Sequence, residues 1–111
     1  MKKVVLSDVE AYDAPGHFNV KTLRLHGKDE TGAQQFWIGM SHFLPGGGAD
    51  FGSPPGEKAY FILEGEVTVK NKTEEFVLKK NDLIYIEPNE ERAIVNHTNL
   101  PTTMLVIYSY S

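Results

Sequence analysis

Apolar and polar residues alternate over short stretches divided by turn formers, and no helical periodicity lasts ten residues without a Gly or Pro breaker. Val20 to His26 alternates as a half-buried strand does, and Gln34 to Phe43 reads as a longer strand. Between them, Gly27-Lys28-Asp29-Glu30-Thr31-Gly32 has turn composition. Tyr60-Phe61-Ile62-Leu63 is continuously apolar, as in a strand covered on both faces. Glu64-Gly65 then supplies a tight turn, because glycine enters positive φ without a Cβ clash. Val67 to Lys70, Glu75 to Leu78, Leu83 to Ile86, Arg92 to Asn96 and Thr102 to Tyr108 continue the series, with turns at Asn71-Lys72 and Pro88-Asn89. Eight short strands at regular spacing predict an all-β sandwich or barrel, of which the jelly roll is the form that removes free edges. Met1 to His17, with Pro15-Gly16, is expected to form an arm or an edge strand. Gly46-Gly47-Gly48 lacks phosphate-loop spacing and opens no helix, so a flexible lead-in between strands is expected there.

Length and charge narrow the classes. A chain of 111 residues suits one domain, and 41% hydrophobic with 23% charged residues is ordinary globular composition. A net charge of −4 argues against a nucleic-acid partner, which requires a basic face. No apolar run approaches the ~20 residues of a membrane span. Met1-Lys2-Lys3 precedes an apolar stretch too short for a signal peptide, so no membrane partner and a cytoplasmic location are expected. With no cysteine, disulfides, thiolate catalysis and Cys-based zinc sites are excluded together.

The middle of the chain carries two motifs. Leu44-Pro45-Gly46-Gly47-Gly48 leads to Glu57-Lys58-Ala59-Tyr60-Phe61-Ile62-Leu63-Glu64-Gly65, and Asn81-Asp82 leads through Glu87-Pro88-Asn89 and Arg92 to Asn96. This resembles the two-motif core of the cupin superfamily from Leu44 to Asn96. The resemblance implies a single-domain cupin jelly-roll barrel, or double-stranded β-helix, spanning 1–111. In that family the mouth of the barrel usually holds a divalent metal. Here the ligand positions differ. The motif glutamate falls on Lys58, and the histidine pair falls on Gly52 and Pro54 or, with longer spacing, on Phe51 and Ser53. The second-motif histidine falls on Arg92, while Asn81 and Asn89 occupy glycine places and Asn96 matches the closing asparagine. Lysine and arginine are cationic at neutral pH and make poor ligands, so no cofactor is predicted. A divalent metal ion held in a rearranged site by His42, Glu57 and a third ligand stays open, since a facial triad needs only three.

Strand alternation then suggests a pocket. If Lys58 points inward, Tyr60 and Ile62 share its face, and Arg92, Ile94 and Asn96 face the same interior. Lys58, Arg92, Asn96, Phe51, Ser53 and Glu57 are the candidate substrate-binding residues, and Tyr60 and His42 the candidate proton carriers. Sequence does not decide which face of the strand 34–43 looks inward: His42 with Met40 and Ile38, or Phe43 with Ser41 and Trp37. Two cations in an apolar cup call for a small anionic ligand, and a planar guanidinium suits a carboxylate or phosphate. The alternative is that Lys58 reaches solvent while Arg92 pairs with Glu57 or Glu87. His17, His26 and His97 lack ligand spacing and are expected at the surface. Three functions remain open. One is a metal-independent isomerase or lyase-type enzyme acting on a small carboxylate or sugar acid. The others are a non-catalytic binding or accessory protein, and a metal-dependent, dioxygenase-like enzyme with displaced ligands. Apolar strands such as Met104 to Tyr108 favour a homodimer.

Overall fold

The computed structural model describes residues 1–110. Its helical content is one 3-10 turn at Leu6–Asp8; otherwise it is built of strands. These are β1 (Ala11–Tyr12), β2 (His17–His26), β3 (Phe36–Gly52), β4 (Lys58–Glu64), β5 (Glu66–Lys70), β6 (Glu75–Lys79), β7 (Leu83–Ile86), β8 (Arg92–Val95) and β9 (Thr102–Ser109). All pairings are antiparallel, in the order β6-β5-β8-β3-β9-β4-β7, with β2 also on β3 and β1 on β2. The result is a nearly closed antiparallel barrel of the jelly-roll kind. β1, within the N-terminal arm, pairs with β2 at the margin of the sheet.

β3 joins the two walls. Its first half, Phe36 to Phe43, pairs with Ser109 to Thr102 of β9, whereas Gly48, Ala49 and Gly52 pair with Val95, Ile94 and Arg92 of β8. The expected flexible lead-in at Gly46 to Gly48 is therefore strand. A Cβ on Gly48 would overlap the carbonyl oxygen of Ile94, and one on Gly47 that of Asn19. These glycines let neighbouring backbones approach closely where the strand changes wall.

The turn chemistry matches the sequence. Gly65 has φ +85°, and the asparagines in glycine places, Asn81 and Asn89, have φ 71° and 64°. Asparagine enters the left-handed region more readily than other side-chain-bearing residues, which explains how both turns survive the replacement. The core is Phe43, Tyr60, Ile62, Val67, Val69, Ile86, Ile94 and Met104 with their neighbours. On β4, Lys58, Tyr60 and Ile62 are buried while Ala59, Phe61 and Leu63 are half-buried. β4 thus alternates and is not covered on both faces as its apolar run suggested. Its outer face carries side chains that no second layer covers.

Candidate functional site

Lys58 and Tyr60 stand two residues apart on one face of β4, and Arg92 opens β8 on the facing wall. All three line a cavity of about 280 Å³ between the walls. Arg92 donates from Nε to the Tyr60 hydroxyl at 2.9 Å and from Nη1 to the Asp50 carbonyl oxygen at 3.1 Å. The inward face of β3 proves to be Trp37, Gly39, Ser41 and Phe43; Ser41 and Phe43 are buried, and all four border the cavity. Tyr108 of β9 stacks on Trp37 with centroids 5.3 Å apart. The Arg24 guanidinium lies 4.5 Å from the Trp37 ring and 4.8 Å from the Tyr12 ring, and it donates to the Tyr12 hydroxyl. Lys58 Nζ lies 5.8 Å from the Tyr108 ring. Cations therefore flank a stacked aromatic pair along one side, in the order Lys58, Tyr108, Trp37, Arg24, with Tyr12 beyond.

The wall of this cavity is cationic. Both arginines of the chain and Lys58 line it, and no Asp or Glu does. Among the described residues neither Arg92 nor Lys58 forms an ion pair; the two that occur are Lys72–Glu91 and Lys80–Glu64 at the surface. The expected alternative, Arg92 paired with Glu57 or Glu87, is not what the structure contains. Two buried side-chain polar atoms among the described residues have no hydrogen-bond partner, Lys58 Nζ and Arg24 Nε. Both belong to residues of this cavity. Such groups are normally satisfied, because an unmet buried donor costs about 1–3 kcal/mol. Burial, and then the charge of Arg92, lower the Lys58 pKa to about 8, against a smaller opposing effect of Glu90. Burial raises the Tyr60 pKa in spite of Arg92, so its phenol stays protonated at neutral pH. Its oxygen accepts from Arg92 while its own hydrogen remains available.

Five other expected site residues are not brought to this cavity. Asn96 is fully buried, but its Nδ2 donates to the carbonyl oxygens of Phe43 and Leu100, and its Oδ1 accepts from the backbone and side chain of Thr98. It fastens the loop after β8 and has no free capacity for a ligand. His42 lies on the other face of β3, with Nδ1 3.0 Å from Thr103 Oγ1 on β9. Glu57 is exposed and accepts from Tyr85 at 2.7 Å. Phe51 is half exposed beside Lys70, and Ser53 is exposed. Sequence reasoning missed Arg24, Tyr108 and His17, and had Trp37 only on one of two alternative faces of its strand. His17 was expected at the surface, yet the arm turns it onto the cavity wall with Nδ1 2.9 Å from the Pro15 carbonyl oxygen.

A divalent metal does not fit these residues. The wall offers a single imidazole among three cationic side chains, and His42 and Glu57 lie outside it. Among the described residues no group of three or more His, Cys, Asp or Glu could hold a metal ion.

Comparison with known proteins agrees with the architecture. The family profile described as a cupin domain matches residues 39–108. A protein named beta-D-galactosidase from Mycobacterium tuberculosis is 34% identical over 110 residues, 99% of this chain and 95% of that one. The polyketide cyclase RemF of Streptomyces resistomycificus superposes with a TM-score of 0.87 at 21% identity, over 100% of this chain and 80% of that one. A sugar phosphate isomerase from a cupin superfamily, from Silicibacter pomeroyi, gives 0.79 at 20% identity over 99% and 76%. The two structures share the fold.

Proposed function

We propose, from the premise that this chain belongs to the cupin family, that it takes a small organic anion of sugar-acid size into the cavity between its walls. The observation that carries this reading is the unpartnered buried nitrogen of Lys58, beside Arg92 in a cavity that no carboxylate lines. A carboxylate on Arg92 offsets one of the two positive charges, and a further ligand oxygen beside Lys58 Nζ satisfies that nitrogen. The Trp37–Tyr108 stack supplies an apolar platform for the carbon skeleton, and about 280 Å³ suits a molecule no larger than a monosaccharide. Tyr60 donates a proton to an oxygen on the bound ligand, and Lys58, with its lowered pKa, supplies a lone pair beside it as base or nucleophile. That pairing suits an isomerase or lyase-type reaction without a metal.

A second reading comes from the Mycobacterium tuberculosis relative and its name. A galactoside ring suits the same aromatic stack, but glycoside hydrolysis ordinarily uses two carboxylates about 5–9.5 Å apart, and this wall has none. The readings separate on one panel. Galacturonate, galactose and a nitrophenyl β-galactoside are each titrated by calorimetry and then incubated with the protein. The anion reading expects galacturonate to bind and galactose to fail. Equal affinity for the two sugars sinks it, and release of nitrophenol establishes the hydrolase. Binding of galacturonate without turnover under any condition assigns the non-catalytic function.

A further inference from the structure

We infer that Lys58 is a covalent site: it condenses with the carbonyl carbon of a 2-oxo acid to form an imine, with Arg92 holding the carboxylate. The inference rests on the anion reading above and narrows it to substrates that carry a carbonyl beside the acid group. Three features point to it. Lys58 is 4% exposed, and its Nζ is a buried nitrogen with no partner, so no protein acceptor holds the lone pair or the protons. Most lysines reach solvent with the amine; this one ends in a cavity of mixed aromatic and aliphatic walls. Second, Tyr60 shares the strand face of Lys58, and its oxygen already accepts from Arg92. The phenol hydrogen is thereby free for a carbonyl oxygen. Third, burial and then the charge of Arg92 disfavour the ammonium form, so neutral amine becomes available close to neutral pH.

The step balances within these groups. The Nζ lone pair adds to the carbonyl carbon, and the π pair of the C=O bond moves to oxygen, which takes the phenolic proton of Tyr60. The nitrogen returns a proton to the phenolate, giving a neutral carbinolamine. Its C–O bond then breaks as a proton from solvent converts the hydroxyl to water, and the nitrogen pair forms the C=N bond. Neutral amine, carbonyl and one proton from solvent have become protonated imine and water, with no oxidant or reductant consumed. The positive imine beside a carboxylate draws electrons from the adjacent carbon. This is the activation that an isomerase or lyase acting on a sugar-derived 2-oxo acid requires.

The test uses pyruvate as the probe, with lactate as the matched anion that has no carbonyl. The protein is incubated with pyruvate and cyanoborohydride, and the reduced carboxyethyl adduct is mapped by peptide mass spectrometry; melting temperature is recorded with each anion. The expected result is one dominant adduct at Lys58, formed faster than at any other lysine, with thermal stabilisation by both anions. Lys58→Arg removes the nucleophilic amine and should lose the adduct. Because mapping is done on the unaltered protein, the outcome does not depend on the variant folding. Stabilisation by both anions without enrichment at Lys58 overturns the imine and leaves the anion reading standing. An adduct at Lys58 without stabilisation by lactate supports the imine and counts against the anion reading. Neither stabilisation nor adduct defeats both.

Discussion

Arg92 ties the two walls of the barrel together, since its Nε bonds Tyr60 on β4 while its Nη1 bonds the Asp50 carbonyl on β3. Arg92→Ala should weaken a carboxylate ligand by roughly 1.5–3 kcal/mol, the scale of a charge-assisted hydrogen bond, as read by calorimetry. Arg92→Lys should recover only part of that, because a point charge does not reproduce the planar fork. Lys58 gives a second expectation, through pH. Its pKa is about 8 when folded against 10.5 for free lysine, so between those values the unfolded chain holds a proton that the folded chain has released. Stability from this residue therefore rises as pH climbs from about 8 toward 10, and below 8 the cost of the buried ammonium stands in full. Above 10, Tyr60, raised by burial, contributes the opposite slope. Urea unfolding on either side of pH 8 should show the rise, and Lys58→Met should flatten it.

At the scale of the strand, period-two alternation carried the inference from Lys58 to Tyr60 and Ile62, and from Arg92 to Ile94, since one inward residue fixes its neighbours. The same rule failed on β3, where alternation defines two faces but only the partner wall decides which is inside. Trp37 and Ser41 border the cavity for that reason, and His42 does not. Arg24, Tyr108 and His17 were illegible for a related reason. Their place depends on β2, β9 and the arm folding over the same opening, and no local spacing encodes it. Asn96 shows the reverse error: a motif position was read as a ligand position although its buried amide is consumed by backbone. The left-handed turns and the tight glycines give expectations on stability. Asn89→Ala should cost about 1–2 kcal/mol, the strain of a Cβ residue at positive φ without asparagine's local hydrogen bonding, while Asn89→Gly should be tolerated. Gly48→Ala should cost roughly 1–3 kcal/mol or prevent folding, because the β3–β8 backbones must part. Denaturant midpoints check both.

For the molecule as a whole, the outer face of β7, β4 and β9 shows Leu83, Tyr85 and Ile107 exposed. Leu83 pairs with Phe61, which pairs with Leu105; Tyr85 pairs with Ala59, which pairs with Ile107. This apolar sheet face is where the expected homodimer would form. Sedimentation should give a dimer mass for the unaltered chain and a monomer for Leu83→Glu combined with Ile107→Glu. A monomer for the unaltered chain would refute pairing through this face.

The crossing strand has a kinetic consequence. β3 and β4 do not pair with each other; β9 lies between them and supplies Met104, Val106 and Tyr108 to the cavity. The binding chamber therefore depends on contacts between residues far apart in the chain, such as Phe36 with Ser109, and such high-contact-order pairings form slowly. Until β9 docks, Lys58 and Tyr60 lie on a strand with one neighbour and Arg92 is on another wall. Recovery of ligand binding after dilution from denaturant should consequently lag the first gain of β-structure and coincide with the last phase of folding.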